Sequence, residues 1–250
     1  MKTFLIVLVS ILCALPSLAV SAVSFVKTST QGSCSSAATC ATSFGTLPSS
    51  GNAVIVTLSC WNGSAVCAVS SVTDNQSNTY TLAACKESAD SRGKACIYYS
   101  SGIGTPSGTF TVTANVAAST STEIVAVEYS GVATASPVDV NQSNAVLTGT
   151  ADTGVSATTA QNDELSVCVA SVSAANTNLA FTTPSGYTQR GIQNNANATI
   201  GFHSADKILT TTGTQQCAWT HSTTSEDGWG AQLITFKAAT TTKAQLRRRF

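Results

Sequence analysis

His203 and His221 are the side chains best suited to take a proton near neutral pH, and nucleophilic hydrolysis would set one of them beside a hydroxyl or thiol. Serine and threonine make up 72 of the 250 residues, so any fold of this chain brings some hydroxyl near a histidine. The Gly-x-Ser-x-Gly nucleophile elbow does not occur. His203 follows Phe202 in an apolar run and reads as structural. His221 ends the Trp219-Thr220-His221 edge, beside a run of hydroxyls, and is kept as a binding candidate. Glycoside hydrolysis needs two carboxyl groups flanking one bond. Glu123 and Glu128 are five residues apart and point to opposite faces of a strand, so they cannot form that pair. Glu128 shares a face with Ile124 and Ala126 and is read as an inward carboxylate in a structural ion pair with Lys207. Asp74, its neighbours to Asn78, and Asp152 offer oxygens without EF-hand spacing, and turn formation accounts for them. Residues 102–108 are glycine-rich but precede no helix, so they cannot cradle a phosphate. Neither a Cys-x-x-Cys nor a Cys/His cluster at zinc spacing is present. The reading therefore assigns no catalytic residue, no metal and no cofactor. What remains is sugar recognition by aromatic stacking, with Trp61, Trp219 and Trp229 as platforms and Asn62 as a polar neighbour. Trp61 is favoured because it lies at a proposed hairpin tip.

These residues must be positioned by strands. Runs of Val, Ile, Thr and aromatics alternate with Gly, Asn, Ser and Pro punctuation at 53–61, 66–72, 79–83, 95–100, 109–116, 122–129, 164–172, 199–209, 214–220 and 229–237. Weaker runs lie at 24–28, 138–141, 154–158 and 187–192. No stretch sustains a helical period; the nearest, 33–43, is an Ala/Ser run that allows a short helical turn. Without crossover helices the sheets must be mainly antiparallel. A dozen strands in this length point to an all-β, two-sheet antiparallel sandwich of jelly-roll type. Residues 141–160 read as a long loop or edge strand inside a single domain spanning 23–238.

Charged residues are only 10% of the chain, against about a quarter in an average globular protein. Residues 23–238 carry 7 basic and 12 acidic side chains, and a body of that sign does not grip nucleic acid. Residues 1–22 resemble an export leader: Lys2, an apolar stretch over 4–15 broken only by Ser10, Pro16, and small residues at Val20-Ser21-Ala22. The stretch is shorter than the ~20 residues that span a bilayer, so no transmembrane segment is expected. Residues 239–250 hold Arg247, Arg248 and Arg249 and read as a basic disordered tail. Of nine cysteines, Cys13 lies in the leader. The other eight form an even set that reads as disulfides in a secreted, extracellular chain. Eight cysteines allow 105 pairings. Spacing ranks Cys34–Cys40, Cys60–Cys67, Cys85–Cys96 and Cys168–Cys217 first.

Four pieces of sequence carry a resemblance. They are Ser71-Val72-Thr73-Asp74-Asn75 with Asn78-Thr79-Tyr80; Glu128-Tyr129-Ser130-Gly131-Val132 followed by Ser136-Pro137-Val138-Asp139-Val140; Asp206-Lys207-Ile208; and the closing run from Ala231 to Lys237. In this order they resemble a β-sandwich module of secreted bacterial proteins, often linked to adhesin-like or carbohydrate-related domains. The resemblance implies a jelly-roll-like fold and an extracellular setting and transfers no catalytic residue. The reading that follows is a secreted, non-catalytic binding or adhesion module for a glycan or cell-surface polymer. The alternatives are a polysaccharide-acting enzyme on a lectin-like sandwich and a structural surface or particle component.

Overall fold

The computed structural model describes residues 18–20, 22–173, 180–193, 200–221 and 228–242, and every regular element among them is a β-strand. The first half of the chain supplies β1 (Leu18–Val20), β2 (Ser24–Thr28), β3 (Gly32–Phe44), β4 (Ala53–Trp61), β5 (Val69–Asp74), β6 (Thr81–Glu87), β7 (Gly93–Ser100) and β8 (Phe110–Ser130). The second half supplies β9 (Val138–Val146), β10 (Leu165–Ser173), β11 (Phe181–Thr182), β12 (Thr188–Gln193), β13 (Ile200–Ile208), β14 (Thr220–His221), β15 (Trp229–Phe236) and β16 (Thr240–Thr242). The result is an all-β sandwich of two antiparallel sheets. One has the order β2-β8-β4-β7-β6, with β3 and β5 also paired to β8. The other has the order β12-β13-β10-β15-β9. β1 pairs with β16, which sets the end of the expected leader beside the start of the expected tail; residues 1–17 and the tail arginines lie outside the described residues.

The residue pattern of β8 explains the first sheet. Over its first half Phe110, Val112, Ala114 and Val116 are buried, while Thr111, Thr113 and Asn115 between them stay partly exposed. From Ile124 to Tyr129 every residue is buried on both faces, and Glu128 is the one interruption of the apolar series. The strand is therefore one-sided and then two-sided. Its first half pairs with β5 and the far end of β3, and its second half with β4, β2 and the near end of β3. The change of partner between Val116 and Ser121 folds the sheet over on itself, so that Phe110, Val112 and Ala114 meet Ile124, Ala126, Val56 and Leu58 in one core. The opposite face, with Ile55, Val125 and Val127, packs on Leu165, Val167, Val169 and Ile234 of the second sheet in another.

A third core covers the outer face of the second sheet. Trp219, Trp229, Phe181 and Leu233 pack there with Cys168 and Cys217. The lid consists of residues 151–159 and 213–219 running side by side, joined by Thr153 N–H to Cys217 O, Trp219 N–H to Ala151 O and Ser156 N–H to Gln215 O. This arrangement makes every residue of β10 and β15 buried, a burial normally met in parallel sheets.

Four disulfides staple the structure: Cys34–Cys40, Cys60–Cys67, Cys85–Cys96 and Cys168–Cys217. They are the four pairs that spacing ranks first. Three close short loops within the first sheet, and the fourth pins the lid to β10.

Several expectations about elements are corrected. Residues 33–43 form strand β3 rather than a helical turn, because both halves of β8 offer it backbone partners and the Ala/Ser run has no helical face to bury. The runs at 109–116 and 122–129 are one strand. Of the run at 214–220 only Thr220 enters a named strand, and 154–158 supplies none; both belong to the lid, where side-chain hydroxyls accepting from backbone N–H groups replace part of the ladder. Residues 141–160 begin as the edge strand β9 and continue into the lid.

Candidate functional site

Toward one end the layer between the sheets turns from apolar to polar. On β4 the face that carries Ala53 and Ile55 continues as Thr57, Ser59 and Trp61. Thr57 Oγ1 donates to Ser204 Oγ and Ser59 Oγ to Ser171 Oγ, both at 2.7 Å and both buried. Beside Ser59, β8 places Glu123, which is only 3% exposed. Its carboxylate accepts from Ser33 Oγ at 2.6 Å, Gln31 Nε2 at 2.8 Å and Gln193 Nε2 at 3.1 Å. The Gln31 carbonyl in turn accepts from the N–H of Ile192 at 2.9 Å. A carboxylate held by three neutral donors thus joins β3 and β8 of one sheet to β12 of the other. In the turn between β6 and β7, Asp90 accepts from Ser88 Oγ, Ser173 Oγ and the N–H of Arg92.

Trp61 is half-buried at the rim of this region, opposite Ser121 and Gly93 on the flanking strands. It opens the loop closed by Cys60–Cys67. Gly63 tucks under the indole, where a Cβ would stand 3.1 Å from the ring. Asn62 shapes the same loop, its Oδ1 accepting from the N–H and hydroxyl of Ser64 at 3.2 Å each. Carboxylate, side-chain amides, hydroxyls and a partly exposed indole are the group types that bind a polyhydroxylated ligand.

Comparison with protein-family models, with curated proteins and with solved structures finds no match. The site is therefore read from its own chemistry.

Two aromatic candidates are corrected by burial. Trp219 and Trp229 are 0% and 1% exposed inside the third core, so neither offers a ring face to a ligand. The covering lid, which strand alternation alone does not reveal, is the physical reason. Trp219 Nε1 donates to His203 Nδ1 at 2.9 Å, and His203 Nε2 lies 3.3 Å from Thr183 Oγ1. Burial lowers the His203 pKa to about 4, so the ring is neutral near pH 7, and both nitrogens are engaged. The structural role expected of His203 is what this geometry describes. The main chain of His221 pairs with Phe181.

The ion pair is also corrected. Glu128 is fully buried, but its cation is Lys27, at 3.5 Å, and not Lys207. Lys207 belongs to the other sheet, opposite Ser166, with its ammonium 5.7 Å from the centre of the Tyr187 ring. The Glu128 carboxylate further accepts from the N–H of Ser49 at 2.7 Å and Asn52 Nδ2 at 2.6 Å, so it fastens the turn before β4. Glu128→Gln keeps those two acceptor contacts and loses the pair with a partly exposed lysine. We expect it to cost about 1–2 kcal/mol, read as a lowered midpoint in chemical denaturation.

The Asp74 loop is structural. Its carboxylate accepts from the N–H groups of Gln76 and Asn78, from Asn78 Nδ2 and from Tyr80 O–H, at 2.8–3.1 Å. Among the described residues no group of three His, Cys, Asp or Glu side chains is placed to hold a metal ion.

Sequence reasoning missed Glu123, Gln31, Ser33 and Gln193 as a group. The available signal was alternation: Glu123 shares its face with Val125 and Val127, so a carboxylate was bound to enter the layer between the sheets. The two glutamines lie 162 positions apart, and nothing local links them.

Proposed function

We propose that the protein is a secreted, non-catalytic binding module that recognises a glycan or cell-surface polymer. The four disulfides support an oxidising, non-cytoplasmic setting. Among the described residues no helix is long and apolar enough to cross a membrane. The observation that carries the reading is the half-buried Trp61 on its disulfide-closed loop, on the same sheet face as the Glu123–Gln31–Gln193 cluster. An indole stacks on the apolar face of a sugar ring while the half-buried Gln31 and Gln193 amides, held in place by the buried Glu123 carboxylate, take its hydroxyls.

Trp61→Ala is the test. An aromatic anchor at the centre of a contact is worth about 1–2 kcal/mol or more, so the variant should weaken polysaccharide binding by about 5- to 30-fold. Glycan-array and cell-wall pull-down measurements read the binding, and thermal melts check that the fold is kept. Absence of binding by the wild-type protein would sink the proposal. Release of shortened sugar products would replace it with an enzymatic role.

A further inference from the structure

Asn62-Gly63 is the one Asn-Gly step in the chain, and it lies in the loop closed by Cys60–Cys67. In such a step the backbone nitrogen of the glycine reaches the side-chain amide carbon of the asparagine, because no Cβ stands in the way. Three features of this loop favour that attack. Gly63 is exposed, and among the described residues its N–H makes no hydrogen bond, so the nitrogen is free to lose its proton to solvent. Asn62 Oδ1 accepts from both the N–H and the hydroxyl of Ser64, at 3.2 Å each. These two donors point at the oxygen that turns negative when the amide carbon becomes tetrahedral. The Asn62 Nδ2 amino group, which would leave, is held by no partner among the described residues. Other asparagine amides are fastened. Asn75 donates to Thr109 O at 3.0 Å and accepts from the N–H of Thr111 at 2.9 Å, Asn78 Nδ2 donates to Asp74 at 2.8 Å, and Asn52 Nδ2 donates to Glu128 at 2.6 Å. Each of these is followed by a residue that carries a side chain.

We propose that Asn62 is a modification site at which the chain converts its own amide into an acid. The Gly63 nitrogen bonds to Asn62 Cγ, the Cγ–Nδ2 bond breaks, and ammonia leaves with the proton that Gly63 gave up. The product is a five-membered cyclic imide. Water then opens one or the other of its two carbonyls, giving aspartate or isoaspartate. Either product sets a new negative charge beside Trp61. Isoaspartate also adds an atom to the main chain, inside a loop fixed at both shoulders: the N–H groups of Asn62 and Cys67 both donate to Arg92 O, at 3.1 and 3.3 Å. Gly63 then loses its place against the indole, where a Cβ would already stand 3.1 Å from the ring. The effect on sugar binding rests on the role proposed above for Trp61; the amide chemistry does not.

The test is storage of the full chain, disulfides intact, at pH 8.5 and 37 °C, followed by peptide mapping with mass spectrometry. Residue 62 should be the first asparagine to show the mass gain of an amide-to-acid exchange, in two separable forms, one of them labelled by an isoaspartyl methyltransferase. The conversion should be slower at pH 6, since the attacking nitrogen must shed its proton. Ser64→Ala removes the hydroxyl donor, keeps the N–H and should slow the conversion by about 2- to 10-fold, the worth of one hydrogen bond. Asn62→Gln should stop it. Earlier modification of any other asparagine, or an unchanged rate in Ser64→Ala, would overturn the proposal. Polysaccharide binding should fall in step with the isoaspartyl fraction. Full conversion with binding unchanged would leave the modification standing and take the Trp61 loop out of the binding role.

Discussion

Replacing Cys168 and Cys217 together by alanine lowers stability by about 4 kcal/mol, from the loop-closure entropy of a 49-residue separation. The bond also has a mechanical role, since Cys217 belongs to the lid and Cys168 to the central strand β10. Without the tether, the lid is held by its backbone contacts and by Trp219. We expect the lid to loosen before the sheets come apart. Tryptophan emission should shift to the red and become quenchable by iodide at temperatures where far-ultraviolet dichroism still reports native strands. The paired removal of Cys60 and Cys67, only 7 residues apart, should cost about 2 kcal/mol and, in a Trp61→Phe background that removes the indole on that loop, leave that emission unchanged. Equal losses for the two pairs, or coincident transitions by both probes, would show that the lid is not a separately pinned element.

The other large effect lies between the sheets. Asp206 of β13 accepts from Arg190 Nε at 2.8 Å and from the hydroxyl of Tyr129 on β8. The Arg190 guanidinium lies 3.6 Å over the ring of Phe25 on β2. Burial, followed by the Asp206 charge, holds the Tyr129 phenol well above its ordinary pKa, so it stays a donor. Asp206→Ala strands a largely buried guanidinium and a fully buried hydroxyl at once. We expect a loss of about 3–5 kcal/mol. Tyr129→Phe removes one donor and leaves the ion pair intact, and should cost about 1–2 kcal/mol. In the double variant the tyrosine substitution should add little, because its acceptor has gone. Additive losses in that cycle, measured by denaturant titration, would mean that the two contacts act independently.

The legible parts of the fold were those fixed by local pattern. The change in β8 from Thr111 and Thr113 to Val125 and Val127 on one face encodes the passage from one-sided to two-sided burial. The even cysteine count and short spacings led to the disulfides because neighbouring residues are easily brought together. What was not legible depends on distant segments. The lid over Trp219 and Trp229 comes from two stretches about 60 positions apart, and without it both rings read as exposed. Lys27 was passed over for Lys207 because strand order, which decides Glu128's neighbour, is not a local property. Within the candidate site, Trp61 was visible from its loop, but Glu123 acquires Gln31 and Gln193 only once the two sheets meet.

The four disulfides share one further property: each paired cysteine joins the next one along the chain. For a polypeptide threading N-terminus first into an oxidising compartment, the partner is always the next thiol to arrive. Oxidation in order of arrival then yields the final connectivity without any bond being reopened. The first three bonds can close before the last residues of β10 have emerged. Only the fourth must wait for the distant stretch around Cys217, so lid closure is the last covalent step, and in that order it can precede the docking of β15, which follows Cys217 in the chain.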